Sequence, residues 1–405
     1  MQRPNFSELD EFPFRRLARL LAPIEPPADL APIDLSLGEP KHSPPDLLAA
    51  TVAENGHLWN RYPPVTGTAE FRAAVKSWLD RRYDLAADFL LADKNILPLT
   101  GTKEGLFLLP SAVAGMQSVQ GRSLVLLPDP VYSVYVGAAV LAGLEPRPLP
   151  ATRETGFLPD LSALTPEQLD QTLILMICSP ANPQGAIASH DYLAQALALA
   201  RRHGFLLVLD ECYSEIYLHG PPAGGLQVAQ DLGRDCDRLV VMHSLSKRSN
   251  AAGLRSGFIA GDAKIIADFA RFRAYGSAVQ PLPLMAAATA LWQDETHVEE
   301  NRAAYQTKLH AAKRMLGNHF RFAEPAGGFF LWIEVDDGIA AAELLWREAG
   351  LKVVPGAYLT ASPDPNGDVG GRYIRIALVH DEATVIAGLE RLLALSGRLL
   401  AERVD

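Results

Sequence analysis

Between residues 95 and 260, short apolar runs alternate with stretches in which Leu and Ala recur at helical spacing. The runs Asn95–Leu99, Ser123–Leu127, Thr172–Cys178, Phe205–Leu209, Leu239–His243 and Gly257–Ala260 read as strands. They lack the alternation of a half-exposed strand, as strands covered by helices on both faces do. Segments between them, such as Tyr192–His203, read as helices. Strands interleaved with helices predict an α/β fold with a largely parallel sheet.

The two ends have a different rhythm. A helix is expected over Pro13–Leu21, then a Pro-rich extended link reaching Pro32. Beyond Leu282 a long helical stretch runs from Met285 to Leu316, and a strand hairpin pattern occupies Phe320–Val335. A closing helix spans Ala383–Leu395, with Val385, Ile386, Leu389 and Leu392 on one face. The predicted organisation is a large domain over residues 45–280 holding the sheet. A smaller α+β domain is built from both termini, residues 1–44, which include an N-terminal arm, and residues 281–405. A chain of 405 residues suits roughly two or three domain-sized units.

Composition narrows the function classes. Hydrophobic residues at 48% and charged residues at 21% are ordinary for a soluble globular protein. A net charge of −10 argues against binding a nucleic-acid backbone, yet leaves room for small anions held by a few buried cations. Cys178, Cys212 and Cys236 show neither metal-ligand spacing nor a bridge pattern, so reduced thiols in a cytoplasm are expected. The ten histidines show no metal spacing either. The polar start, Met1 to Phe12, lacks an apolar secretion segment, and no apolar run approaches the ~20 residues that cross a bilayer. No metal, nucleic acid or membrane partner is expected.

Candidate chemistry gathers where strands end. Ser244-Leu245-Ser246-Lys247-Arg248-Ser249-Asn250 follows one apolar strand, and Gly253-Leu254-Arg255-Ser256-Gly257 precedes the next. A lysine at a strand end can enter a cleft where desolvation makes its amine nucleophilic. Ser244 and Arg255 offer a hydroxyl and a guanidinium fork to a phosphate; a solvated basic loop would look the same. Asp210 closes the strand Phe205–Leu209, where open α/β sheets bind ligands, with Tyr213 three residues on. As a helix cap and an interface aromatic these two would be unremarkable. Asn182 precedes Pro183, which holds it extended, although Asn-Pro-x-Gly alone is a common turn. Thr100-Gly101-Thr102-Lys103-Glu104-Gly105 joins a strand to a helix, and free amides there form a natural phosphate site.

With these segments in this order, the chain resembles the class I/II aminotransferases of pyridoxal-phosphate fold type I over essentially its whole length. The resemblance takes in Leu35-Ser36-Leu37-Gly38-Glu39-Pro40, Pro325-Ala326-Gly327-Gly328-Phe329-Phe330, Val354-Pro355-Gly356 and Arg372-Tyr373-Ile374-Arg375-Ile376. More narrowly, Phe12-Pro13-Phe14, the continuation Lys41-His42, Ser246-Lys247-Arg248-Ser249-Asn250 and Tyr275-Gly276-Ser277-Ala278 are similar to the proteobacterial succinyldiaminopimelate transaminase branch. Ala251-Ala252 and Gln184 depart from the family's usual Pro and Thr.

The resemblance implies that Lys247 carries pyridoxal 5'-phosphate as a Schiff base and that Asp210 pairs with the ring nitrogen. Asn182 and Tyr213 would contact the ring hydroxyl oxygen, and Tyr132 would stack on the ring. Ser244, Arg255 and the amides of Gly101, Thr102 and Lys103 would hold the phosphate. Arg375 would clamp the substrate α-carboxylate with help from the Gly38 backbone and Asn182. Tyr62 would reach the phosphate of a neighbouring subunit in a homodimer. The implied activity is amino transfer between glutamate/2-oxoglutarate and a second pair, N-succinyl-LL-2,6-diaminopimelate in lysine biosynthesis. Other class I/II aminotransferases acting on aspartate, aromatic or branched-chain substrates, and a pyridoxal-phosphate lyase on the same fold, are the alternatives. A non-catalytic effector-binding module of a regulator would need a DNA-binding segment that the short arm before Leu35 does not provide.

Overall fold

Successive side chains of a strand point to opposite faces, so strands apolar on both faces build two cores at once. The computed structural model describes residues 9, 11–116, 121–233, 235–361 and 369–400; the start of the expected N-terminal arm, residues 1–8 and 10, lies outside them. In chain order its strands are β1 (Ile33–Asp34), β2 (Ile96–Leu99), β3 (Leu124–Asp129), β4 (Glu145–Pro150), β5 (Thr172–Cys178) and β6 (Leu206–Asp210). Then come β7 (Leu239–Ser244), β8 (Gly257–Gly261), β9 (Phe330–Glu334), β10 (Leu351–Lys352), β11 (Val354–Pro355) and β12 (Tyr373–Ala377).

One seven-stranded sheet has the order β2-β8-β7-β6-β5-β3-β4. From β4 to β7 neighbouring strands are parallel, whereas β8 runs antiparallel to both its neighbours. The six expected strands are present to within a residue or two at each end. Leu207 and Leu209 of β6 face one core with Leu175 and Ile177 of β5 and Val241 of β7. Leu206 and Val208 face the other with Ile174, Met176 and Val240.

The seventh strand, β4, carries Pro146, Pro148 and Pro150 and is half-exposed at the sheet edge. Proline cannot donate to a ladder, so it is confined to edges, and its pattern does not read as a strand.

Two expectations for the C-terminal part are corrected. The long helical stretch is two helices, Leu282–Gln293 and Thr296–Leu316. The chain breaks at Asp294-Glu295, where the Arg248 guanidinium takes the carbonyls of Leu291 (2.6 Å) and Asp294 (3.2 Å) and pairs with the Glu295 carboxylate (2.7 Å). The hairpin over Phe320–Val335 is reduced to an isolated bridge, Phe322 to Ile333. The backbone of its turn is engaged elsewhere: Gly327 N donates to Gly185 O, Gly328 N to Ile216 O, and Leu218 N to Ala326 O. Strand β9 pairs instead with β12, in a three-stranded sheet completed by β11.

A third core joins Ile33 and Leu35 from near the start to Leu331, Ile333, Ile374, Ile376 and the closing helix, Glu382–Ala394. On that helix Val385, Leu389 and Leu392 are buried, while Ile386 is half-buried. Among the described residues no helix is long and apolar enough to cross a membrane. Among them, too, there is no group of three or more His, Cys, Asp or Glu that could hold a metal ion. Leu389→Ala is expected to cost about 2–5 kcal/mol by urea unfolding, since it leaves a cavity in the third core, and Ile386→Ala distinctly less. Equal losses would mean that the two positions share one environment.

Candidate active site

The carboxyl ends of β2, β5, β6 and β7 meet along one edge of the large sheet. Past β2 the chain turns through Thr100-Gly101 into the helix Thr102–Ala114, whose first amides point outward with the positive end of the helix dipole. Gly101 has φ +88°, and a Cβ there would lie 2.5 Å from Arg255 Nη2, so only glycine lets the guanidinium close over the turn. Arg255 donates to Ala252 O (2.7 Å) and Thr100 O (3.3 Å), which fixes its fork beside those amides. Ser244, the last residue of β7, accepts from Ser246 N (3.1 Å) and caps the short helix Leu245–Arg248 that carries Lys247.

Asp210, the last residue of β6, is buried, and no Lys or Arg among the described residues forms an ion pair with it. Its carboxylate accepts from the Tyr135 hydroxyl (2.8 Å) and from Cys212 N (3.2 Å). Burial pushes its pKa up, and these two bonds pull it part of the way back. Tyr135 was not singled out from the sequence. The available signal was its place three residues after Tyr132 at a helix start; the two rings meet edge to face at 5.7 Å.

The Lys247 amine lies in the same cavity, donates to the Gly38 carbonyl and sits 5.5 Å from the Phe329 ring. Desolvation is the largest influence on it and lowers its pKa to about 8. Gly38 does more than permit a turn: a Cβ there would lie 2.6 Å from Phe330 Cζ. Arg375, on β12, is fully buried, and among the described residues it has no carboxylate partner. It donates to Asn182 Oδ1 (3.0 Å) and Ser36 O (2.7 Å), stacks 4.4 Å over Phe330, and leaves its buried Nε without a partner. Burial lowers its pKa to about 10, with Tyr213 acting in the opposite direction.

A cavity of about 340 Å³ brings together every expected site residue except Gly101 and Tyr62. Gly101 lies behind Arg255, and Tyr62 is fully exposed, away from the cavity. Phe12 and Phe14 of the N-terminal arm also line it. The residues fit pyridoxal phosphate on their chemistry. A buried carboxylate without a cation suits a protonated ring nitrogen. An amine of lowered pKa suits an aldehyde, and helix amides with a fixed guanidinium suit a phosphate. The guanidinium of Arg375, lacking an anion, suits a substrate carboxylate.

Known proteins resemble this chain over nearly its whole length. A model of the family described as aminotransferase class I and II matches residues 31–392. The chain is 32% identical over 389 residues to a 4-dedimethylamino-4-oxo-anhydrotetracycline transaminase of Streptomyces rimosus, covering 95% of this chain and 99% of that one. It is 31% identical to an LL-diaminopimelate aminotransferase of Desulforudis audaxviator, covering 91% of each. A solved aminotransferase of Neisseria meningitidis superposes with a TM-score of 0.90 at 36% identity, covering 96% of this chain and 98% of that one.

Uptake of pyridoxal phosphate by the cofactor-free protein, followed by absorbance, is expected to quicken with rising pH around a midpoint of about 8. The lowered pKa leaves the Lys247 amine unprotonated above that pH; a midpoint near 10.5, the ordinary lysine value, would put the amine in bulk water. Tyr135→Phe removes a bond that favours the Asp210 carboxylate, so Asp210 stays protonated to a higher pH. The acid limb of the activity profile should then move to higher pH. An unmoved limb would detach Tyr135 from the titration of Asp210.

Proposed function

The chain belongs to the class I and II aminotransferases, and from that premise we propose that it moves an amino group between glutamate/2-oxoglutarate and N-succinyl-LL-2,6-diaminopimelate. Members of the family use pyridoxal phosphate, which supplies an electron-accepting ring. The observation that carries the site assignment is the meeting in one cavity of a buried amine, carboxylate and guanidinium, none of which forms an ion pair among the described residues, Glu39 acting on Lys247 only at longer range.

In the proposed reaction the Lys247 amine would hold the cofactor through its aldehyde and, once free, would move the substrate's Cα proton. Such a positioned base contributes on the order of a hundred- to ten-thousand-fold. Asp210, held by Tyr135, would keep the ring nitrogen protonated. Asn182 and Tyr213 would orient the ring oxygen, and Tyr132 would cover the ring. The Gly101–Lys103 amides, Ser244 and Arg255 would hold the phosphate. Arg375, steadied by Asn182 and Ser36, takes the α-carboxylate of both substrates at the Gly38 segment.

The choice of substrate draws support from the succinyldiaminopimelate-like segments and from a relative named for LL-diaminopimelate. It draws further support from Lys103, whose ammonium lies 5.5 Å from the Phe12 ring in the cavity lining and suits a distal carboxylate. Free LL-diaminopimelate, favoured by that relative's name, is the second reading. Full exposure of the Tyr62 ring supports its reaching a second copy's phosphate in a homodimer. Three free cysteines support a cytoplasmic location, and the division into residues 45–280 and the two ends completes the proposal.

Mixed separately with glutamate, N-succinyl-LL-diaminopimelate and LL-diaminopimelate, the loaded protein is expected to convert its cofactor to the pyridoxamine form with the first two. Conversion by free LL-diaminopimelate and not by its succinyl derivative would select the second reading. Response to glutamate alone would discard both. Arg375→Ala should raise KM for every substrate alike, and an unchanged KM would return Arg375 to a structural role. Lys247→Ala should abolish turnover with the fold intact; activity in that variant would remove Lys247 from the chemistry.

A further inference from the structure

We infer that Glu104 is a positioning residue for the cofactor phosphate, clamping the Thr100–Gly101 turn to the buried Arg273. Glu104 lies in the first turn of the helix Thr102–Ala114 but does not line the cavity. Its Oε2 accepts from both Thr100 N (2.6 Å) and Thr100 Oγ1 (2.7 Å), so the carboxylate reaches back and holds the residue that opens the turn. The other side of the carboxylate meets Arg273, whose Nε lies 3.1 Å and Nη2 3.0 Å from Oε1, and the Ser277 hydroxyl also donates to it.

Arg273 is itself anchored, donating to Pro98 O (2.7 Å) on β2. The turn is thus tied to β2 and to the end of the helix Ala263–Arg273 through one side chain. The same Thr100 offers its carbonyl to Arg255 Nη2 (3.3 Å), so a shift of Thr100 would move the amides and the guanidinium of the anion site together.

Charge alone would set Glu104 against a phosphate. A carboxylate near a dianion repels it, and that repulsion is cancelled by the ion pair with Arg273, a side chain 1% exposed against 11% for Glu104. What remains is geometry: backbone amides bind an anion well when they converge on one point, and Glu104 fixes where they converge.

The inference rests, with the proposed function, on the phosphate lying at the Gly101 turn. The test compares two ligands of the full-length, cofactor-stripped protein: pyridoxal phosphate, and pyridoxal, which lacks the phosphate. Glu104→Gln keeps the shape and removes the charge-assisted bonds. It should weaken pyridoxal phosphate binding by about tenfold while leaving pyridoxal affinity unchanged. Equal weakening of both ligands would make Glu104 merely structural. Unchanged or tighter binding of pyridoxal phosphate would mean that charge outweighs geometry, and would also overturn the inference.

Arg255→Ala runs in parallel. Loss of phosphate preference there but not in Glu104→Gln sinks Glu104 alone, while no loss in either sinks the phosphate placement. Should Glu104→Gln fail to fold, Thr100→Val removes one bond to the carboxylate and keeps the Arg273 pair. The same selective loss is then expected at about threefold, and its absence overturns the inference.

Discussion

Taking a charged group out of water without pairing it closely with an opposite charge costs several kcal/mol, and around one cavity this is done to three groups, two from the large sheet and one from the three-stranded sheet. Lys247, Asp210 and Arg375 each have their pKa moved toward the neutral form by burial. Hydrogen bonds from Tyr135, and from Arg375 and Lys247 to backbone and amide oxygens, soften that cost without removing it. The groups remain poised for opposite charges that a ligand brings. A ligand that binds only the folded chain then adds its binding energy to stability.

Such a site needs a frame that does not relax to neutralise it. The short helix carrying Lys247 is held from behind by Arg248, which is buried against Trp78 and Trp292 and bound to the break between two helices. Asn301 of the second of those helices donates to the carbonyls of Lys247 and Arg248. On the opposite side, Gly38 packs against Phe330, and Phe330 supports Arg375. Two apolar cores, one on each face of the sheet, keep the strand ends in register. The groups that line the cavity therefore sit on rigid elements whose side chains are locked by packing.

The strand runs of the large sheet could be read from the chain because a buried strand must be apolar on both faces, and Thr172–Cys178 or Leu239–Ser244 has no other use for so many branched residues. Chemistry at strand ends was readable for a related reason: Asp210, Ser244 and Lys247 interrupt apolar runs at points where a parallel sheet opens to a ligand. Strand β4 was hidden by its prolines, and the direction of β8 by the fact that hydrophobicity carries no sense of direction. The helix break at Asp294 and the dissolved hairpin before β9 were decided by distant partners, Arg248 in one case and Gly185 with Ile216 in the other.

The amino-acid sequence by itself determined the alternation of strands and helices, the residues able to serve as amine, acid and anion binder, and their order along the chain. Local periodicity and side-chain chemistry are properties of short segments and survive in any fold. Only the tertiary structure decided which of those groups are buried without an ion pair, that Tyr135 holds Asp210, that Arg375 rests on Asn182 and Ser36, and that Glu104 turns toward Arg273. Those facts depend on contacts between residues as far apart as Ser36 and Arg375, and on the removal of water when they meet.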